Sequence, residues 1–310
     1  MAGLSTFDAF KNAGVTSGTR VLSDEELGQL QAALLAMLRD IDRACKQASV
    51  EYMLAYGSCL GAVRHSGFIP WDDDLDIAML RGDYEIFESL FDDLLGDGYV
   101  LQAPGRTEGY DLAFPRIRKR GTLLRNRDDF FSTQDCGIYI DLFVMESVPD
   151  NAVLRVGHGF VSLGLGFLYS CRRFAKYGKH YLRLVDGNEG TSKVFKIKIS
   201  IGRLLSFWSV GAWTKTWYNW NAICRNSSSE YLTVPAGPRH YFGEIQHRNE
   251  LFPTRTCTFE SLIVGIPSDS ATYLTKLYGQ SYMVLPPKEK RERHIVLEFD
   301  LRQSCTRMGV

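Results

Sequence analysis

Two periodicities alternate along the chain. Leu27, Leu30, Leu34, Leu38, Ile41 and Cys45 recur at helical spacing, the apolar stripe of an amphipathic helix. Ser23 with Glu26 three residues later forms a capping box at its start, which predicts a helix from Ser23 to about Gln47. Val50 to Tyr56 reads as a strand, Gly57-Ser58 as a tight turn, and Cys59 to His65 as a short helix broken by Gly67. From Asp74 the pattern changes to strict alternation, with Leu75 and Ile77 apolar and Asp74 and Asp76 acidic. That is a strand with one buried face. Tyr84 to Leu95 is a second amphipathic helix, stopped by Gly96 and Gly98. Tyr99–Gln102, Leu112–Arg118, Thr122–Arg125 and Gly137–Val144 follow as strands.

Strands alternating with helices up to residue 150 predict an α/β or α+β fold around a mixed sheet. From 151 to 229 helical periodicity takes over, aromatics and Lys/Arg rise, and acids become scarce. Asn226 to Ser229 reads as a loop. A strand-like stretch (Thr256–Pro267), a helix (Ser270–Tyr278) and a Pro-Pro start into Lys288–His294 close the chain. The expected organisation is a loose leader over 1–20, a core over 21–150, a helical insert over 151–229, and a final segment over 230–310 that completes the core.

Composition narrows the function. The chain has 310 residues, 45% hydrophobic and 23% charged, with 36 basic residues against 36 acidic. This zero balance, with no recognised binding motif, argues against nucleic acid as a partner. Seven scattered cysteines without a C-x-x-C pair argue against a zinc ribbon and, with no secretory signal at the start, predict reduced thiols in a cytoplasm. The longest apolar run, Gly159 to Cys171, falls short of the roughly 18 residues that a spanning helix needs.

The chemistry concentrates in Ile69-Pro70-Trp71-Asp72-Asp73-Asp74-Leu75-Asp76-Ile77-Ala78-Met79. On a strand, Asp74 and Asp76 share a face with Cα atoms roughly 7 Å apart. Carboxylates fixed so closely repel unless a cation lies between them, and hard oxygen ligands suit Mg²⁺ or Mn²⁺. An EF-hand is excluded, because Ile77 stands where the loop needs Gly and Asp83 where it needs Glu. Asp141, set among Ile140, Leu142 and Phe143, is costly to bury alone. It either pairs with Arg116 or Arg118, or serves as a third metal ligand facing Asp74 and Asp76; the second reading is preferred. Gly57 and Ser58, at a strand-to-helix junction, can seat a phosphate.

Together these parts form the pattern of a nucleotidyltransferase fold. Tyr56-Gly57-Ser58, Gly61 and the run from Arg64-His65-Ser66-Gly67-Phe68 through Ile77 resemble the LicD family of phosphocholine transferases and fukutin-type relatives. The resemblance continues through Arg116-Ile117-Arg118, Thr122 and Gly137 to Phe143. It resumes at Leu251-Phe252-Pro253, Phe259-Glu260, Ile266-Pro267, Tyr273-Leu274, Tyr278-Gly279, Tyr282-Met283, Leu285-Pro286-Pro287, Lys290-Arg291 and His294.

The resemblance implies transfer of a phospho-alcohol from a CDP-activated donor, CDP-choline or similar, to a sugar hydroxyl of a cell-surface glycan or its lipid-linked precursor, releasing CMP. In that reaction Asp74 and Asp76 would hold Mg²⁺ or Mn²⁺ on the diphosphate. Asp141 would complete a metal site or take the acceptor proton. Arg64, His65, Arg116 or Arg118 would offset charge on the departing CMP, and Asp72 and Asp73 would orient the donor. Rival readings are nucleotidyl transfer and a non-catalytic glycan-binding protein. Phe207, Trp208, Trp213, Trp217, Tyr218 and Trp220 sit next to Lys193, Lys196 and Lys198. They predict either the aromatic core of a helical subdomain or a peripheral contact with a membrane.

Overall fold

The computed structural model describes residues 20–126, 136–184, 189–225, 228–291, 293 and 295–302. Nearly all of the expected leader, the first half of Asn226 to Ser229, and His294 lie outside these residues. A mixed sheet organises the first and last thirds of the chain. Helix α1 (Asp24–Ala48) carries the predicted capping box: the Ser23 hydroxyl accepts the Glu26 N–H, and the Glu26 carboxylate accepts the Ser23 N–H. Strand β1 (Tyr52–Leu54) leads into α2 (Tyr56–His65), then β2 (Asp76–Leu80), α3 (Arg81–Leu95), β3 (Tyr99–Gln102), β4 (Arg116–Lys119), β5 (Leu123–Asn126) and β6 (Tyr139–Ser147). The strands stand in the order β1-β2-β6-β4-β3, with β2 and β6 parallel and the other neighbours antiparallel. Two further strands, β7 (Tyr231–Thr233) and β8 (Gln246–His247), extend the sheet from the far end of β6.

Alternation divides the sheet into two faces. Ile77, Met79, Ile117, Ile140, Leu142 and Val144 point one way and lie in the main core with Met37, Leu38 and Ile41 of α1 and Phe87 and Phe91 of α3. Each such side chain taken from water contributes about 1.5–3 kcal/mol. The same core takes in Leu232, Leu251, Phe259, Val264, Ile266, Tyr273 and Leu274, so segments 200 residues apart in sequence share one interior.

Four local expectations need correction. Residues 50–56 form only a three-residue strand, because Tyr56 already sits at φ 45° and starts the helix. Gly57 and Ser58 are therefore the first turn of α2, not a loop before it. Strand β2 begins at Asp76, which leaves Asp74 in the extended lead-in. Thr256–Pro267 is a hairpin of β9 (Arg255–Phe259) and β10 (Leu262–Ile266), turning at Glu260 with φ 53°. The helix predicted at Ser270–Tyr278 is present with those bounds.

Between β6 and β7 the chain is helical: α4 (Ala152–Lys176), α5 (Gly178–Leu184), α6 (Glu189–Leu204) and α7 (Val210–Asn221). They enclose two small aromatic cores, one of Phe174, Tyr181, Phe195 and Ile199, the other of Tyr169, Val210, Trp213 and Trp217. The aromatic-core expectation thus holds for Trp213 and Trp217, and Trp220 stacks on His158. Helix α4 exceeds the apolar run seen in sequence: among the described residues it is the one helix long and apolar enough to cross a membrane. After β7 come the short helices α8 (His240–Gly243) and α9 (Arg248–Leu251), the hairpin, α10 (Ser270–Tyr278), a 3₁₀ turn (Lys288–Lys290), and β11 (Val296–Asp300) paired with β5.

Candidate active site

The polar face of the sheet holds the site. Asp76 on β2 is the register partner of Asp141 on β6, and Asp141 in turn is the partner of Arg116 on β4. Adjacent strands lie about 4.8 Å apart, so the three side chains form a row across the sheet. Arg116 binds Asp141 through both arms: Nε to Oδ1 at 2.5 Å and Nη2 to Oδ2 at 3.0 Å. Its guanidinium lies 3.6 Å from the centre of the Tyr139 ring. Bidentate pairing and stacking together fix one orientation. Of the two readings of Asp141, the structure shows the Arg116 pair. Among the described residues no three His, Cys, Asp or Glu side chains gather as a metal-binding group.

Ser58 positions Asp76. Its buried hydroxyl accepts the Asp76 N–H at 2.8 Å, and the Ala55 N–H binds the Asp76 carbonyl at 3.0 Å. Ser58 therefore anchors the strand that carries the acid rather than standing open to a phosphate. Gly57 lies close to Asp72: a side chain there would start 3.1 Å from Asp72 Oδ2. Tyr56 donates its N–H to the Tyr273 hydroxyl at 3.1 Å, and its ring packs edge-on to Phe143. These contacts couple the helix start to α10 and to β6.

The acidic loop is pinned from outside. Gln31 of α1 donates to the Asp72 carbonyl at 2.8 Å, and Glu260 accepts the Phe68 N–H at 3.1 Å. A side chain on Gly67 would start 2.0 Å from that Glu260 carboxylate, so it would push Glu260 off the Phe68 N–H. Asp73 is buried, whereas Asp72, Asp74 and Asp76 are partly exposed. Trp71 packs on the core and lies under the Arg291 guanidinium, 4.2 Å from its ring centre.

Tyr278, the last residue of α10, closes the site. Desolvation of its hydroxyl, and then the neighbouring charges of Asp76, Asp72 and Asp74, push it well above the ordinary tyrosine range. The hydroxyl therefore stays protonated in the neighbourhood of these three carboxylates. Arg64 donates to the Tyr282 carbonyl at 2.8 Å and to His65 Nε2 at 3.0 Å. Desolvation, followed by the Arg64 charge, lowers His65, so its imidazole is neutral at pH 7. Arg118 differs from expectation: it is fully buried and bonds Gln102 Oε1 at 2.9 Å and the Gly137 carbonyl at 2.8 Å. The structure places it inside the sheet rather than at the opening.

A divalent cation fits this donor set without a closed protein cage. Mg²⁺ is commonly held by one or two carboxylates, with substrate phosphates and water supplying the other ligands. Asp74 and Asp76, both near the Tyr278 hydroxyl and both partly exposed, offer hard oxygens of that kind. Tyr139, Tyr278 and Glu260 were given no role in the sequence. For Tyr139 the signal was available, since it lies two residues from Asp141 and so shares its face.

Residues 49–152, which run from the end of α1 through β6, match the family described as LicD/FKTN/FKRP, nucleotidyltransferase domain. The chain is 23% identical over 300 residues, 88% of its own length and 97% of the relative's, to the lipopolysaccharide cholinephosphotransferase LicD of Haemophilus influenzae. An uncharacterized protein of Rickettsia prowazekii is 37% identical over 68 residues, and one of Rickettsia typhi 34% over 70.

Proposed function

We propose that this chain, whose residues 49–152 carry the nucleotidyltransferase domain of the LicD family, transfers phosphocholine or a similar phospho-alcohol from a CDP-activated donor to a sugar hydroxyl. The acceptor is a cell-surface glycan or its lipid-linked precursor. One observation carries the reading: Asp76, Asp141 and Arg116 stand in register across three strands. The full-length similarity to a lipopolysaccharide cholinephosphotransferase supports the choice of phospho-alcohol and acceptor class.

In this reaction the acceptor oxygen forms a new bond to the phosphocholine phosphorus. The bond from that phosphorus to the CMP oxygen breaks, and the hydroxyl proton is lost to the carboxylate face. Such a transfer depends on positioning and charge neutralisation rather than on covalent help from the protein. Asp74 and Asp76 would hold Mg²⁺ or Mn²⁺, which supplies positive charge to the diphosphate. Arg116, fixed by Asp141 and Tyr139, supplies a second positive group two strands beyond. Asp141 acts here by aiming Arg116, since both its oxygens are engaged.

The experiment is CMP release from a panel of CDP-alcohols by metal-stripped protein, with and without Mg²⁺ or Mn²⁺. Metal-dependent turnover of CDP-choline is expected. Asp74→Ala and Asp76→Ala should each lower it by about 10³-fold or more while the melting temperature holds. A fully active double variant sinks the metal assignment. Turnover of nucleoside triphosphates alone would mean nucleotidyl transfer, and silence toward every nucleotide would mean a binding protein.

A further inference from the structure

Helix α4 has its polarity reversed. Its inner side meets the protein with polar groups. Ser162 donates to Asn221 Oδ1 at 2.6 Å and accepts from Trp217 Nε1 at 3.2 Å. His158 bonds the Tyr241 hydroxyl at 2.8 Å and the Trp220 carbonyl at 3.0 Å. Its outer side is apolar and open: Val153, Leu154, Val156, Phe160, Leu163 and Phe167 are all exposed, Val153 by 79% and Phe160 by 66%. These positions fall on one half of the helix circumference, and no charged residue occurs between Arg155 and Arg172. Only 22% of the most apolar stretch of α4 is buried in the fold.

The strip continues beyond α4. Gly202 of α6 packs on the Cys171 carbonyl, and Arg172 Nε donates to the Trp208 carbonyl at 3.0 Å. The α6–α7 connection therefore lies beside the C-terminal end of α4. It exposes Leu204, Phe207 and Trp208, Leu204 by 81%. A soluble monomer seldom leaves so long an apolar surface open without a partner for it.

Charge identifies the partner. Residues 152–225 hold twelve Lys or Arg against two acids, Asp186 and Glu189, in a chain whose total charge is zero. Lys193, Lys196 and Arg203 are exposed on α6, next to the apolar strip. A second copy on a two-fold axis would set this positive surface against itself. An anionic bilayer offers the opposite charge in its headgroups and an apolar layer beneath them. An aromatic pair such as Phe207 and Trp208 at the edge of an apolar helical face is suited to the boundary between the two. The inner flank of α4 packs on α6 and α7, so the helix is not surrounded by lipid and lies along the surface rather than across it.

We propose that the outer face of α4 and the α6–α7 connection seat this protein on an anionic lipid surface, with α4 in the membrane plane. The same helix is tied to the active site. Tyr169 and Lys176 bond the carbonyl and carboxylate of Asp111 at 2.5 and 2.7 Å, and Tyr177 bonds that carboxylate too. Asp111 lies on the segment that leads into β4 and Arg116. Seating α4 therefore sets the height of the catalytic face above the bilayer. That this height suits a lipid-linked glycan rests on the proposed function; the membrane contact does not.

The test is flotation of the full chain with phosphatidylcholine vesicles, with and without phosphatidylglycerol, in the absence of nucleotide and glycan. Binding to the anionic vesicles is expected, weakened in high salt, with a blue shift of tryptophan emission that Trp208→Phe reduces. Phe160→Glu with Phe207→Glu should lower binding by about tenfold or more. Lys193→Glu with Lys196→Glu and Arg203→Glu should remove the preference for anionic lipid. All these side chains are exposed, so unchanged melting curves and unchanged CMP release are expected. No flotation by the wild type, or equal flotation by every variant, overturns the proposal. So does a dimer in sedimentation velocity that Phe160→Glu dissolves, since a second copy would then cover the face. Loss of CDP-alcohol turnover with intact flotation would count against the functional reading alone.

Discussion

On β6, Tyr139 and Asp141 stand on the polar side of a strand whose other residues are core. On α4, His158 and Ser162 face the protein while Phe160 and Phe167 face out. The two regions are neighbours in the chain and follow opposite rules. A sheet with one wet face can afford charged side chains there, because water or substrate completes their hydrogen bonds. A helix with an apolar exterior needs another attraction to hold it to the protein, and paired polar groups provide it: within α4 and α7 every donor named has an acceptor. The difference teaches that exposure alone marks neither function nor disorder. What matters is whether the exposed groups match a particular surroundings.

The sharpest way to break the comparison is at the seam. Arg81, at the start of α3, pairs with Glu146 of β6 and donates to the Tyr218 hydroxyl of α7 at 2.5 Å, so one buried guanidinium joins sheet and helices. Arg81→Met would leave Glu146 buried without a counter-charge, and urea unfolding should show a loss of about 3–5 kcal/mol at pH 7. Burial already raises the Glu146 carboxyl despite Arg81. The variant's deficit should therefore shrink as pH falls and Glu146 takes a proton.

A smaller effect tests the polar inner side of α4. Ser162→Ala removes a donor to Asn221 and an acceptor for Trp217 without adding bulk at this buried position. The expected loss is about 1–3 kcal/mol, with CMP release unchanged. A neutral result would mean that packing alone holds α4 in place.

The smallest effect concerns Glu244, buried near Tyr56 and Gly237. Burial raises its carboxyl to about 7, against hydrogen bonds that lower it. A group raised in the folded state binds its proton more tightly there than when unfolded. Its penalty is therefore absent at low pH and grows as pH rises from the unfolded carboxylate range through about 7. Glu244→Gln should match the wild type near pH 4 and be more stable by up to about 2 kcal/mol at pH 8. Thermal melts across that range check both sign and window.

Much of this architecture was legible in the residues. The capping box at Ser23, the stripe of α1, the helix at Ser270 and the alternation around Asp141 are local signals, and each element formed. The acid run was legible because four carboxylates framed by apolar residues have few structural uses. The Arg116–Asp141 pair could be offered only as one of two readings, since the register between strands 25 residues apart is not written in either strand. The role of Ser58 was missed for a similar reason: its partner, the Asp76 N–H, lies 18 residues away. Tyr278 reaches the acids only because α10 returns to α2. The outward face of α4 was half legible. The apolar run was plain, but which side met the protein depended on where Trp217 and Asn221 would land.

The row of Asp76, Asp141 and Arg116 has a consequence for how such a chain can change over time. Each member owes its place to counting by twos along its own strand, so the site is sensitive to parity. A single residue added within β2, β4 or β6 would turn that strand's charged group into the core and an aliphatic one toward the substrate. The surface turns between these strands carry no such parity constraint. Variation in substrate preference is therefore open to the loops and to the helical segment, while the three short strands keep their length to the residue.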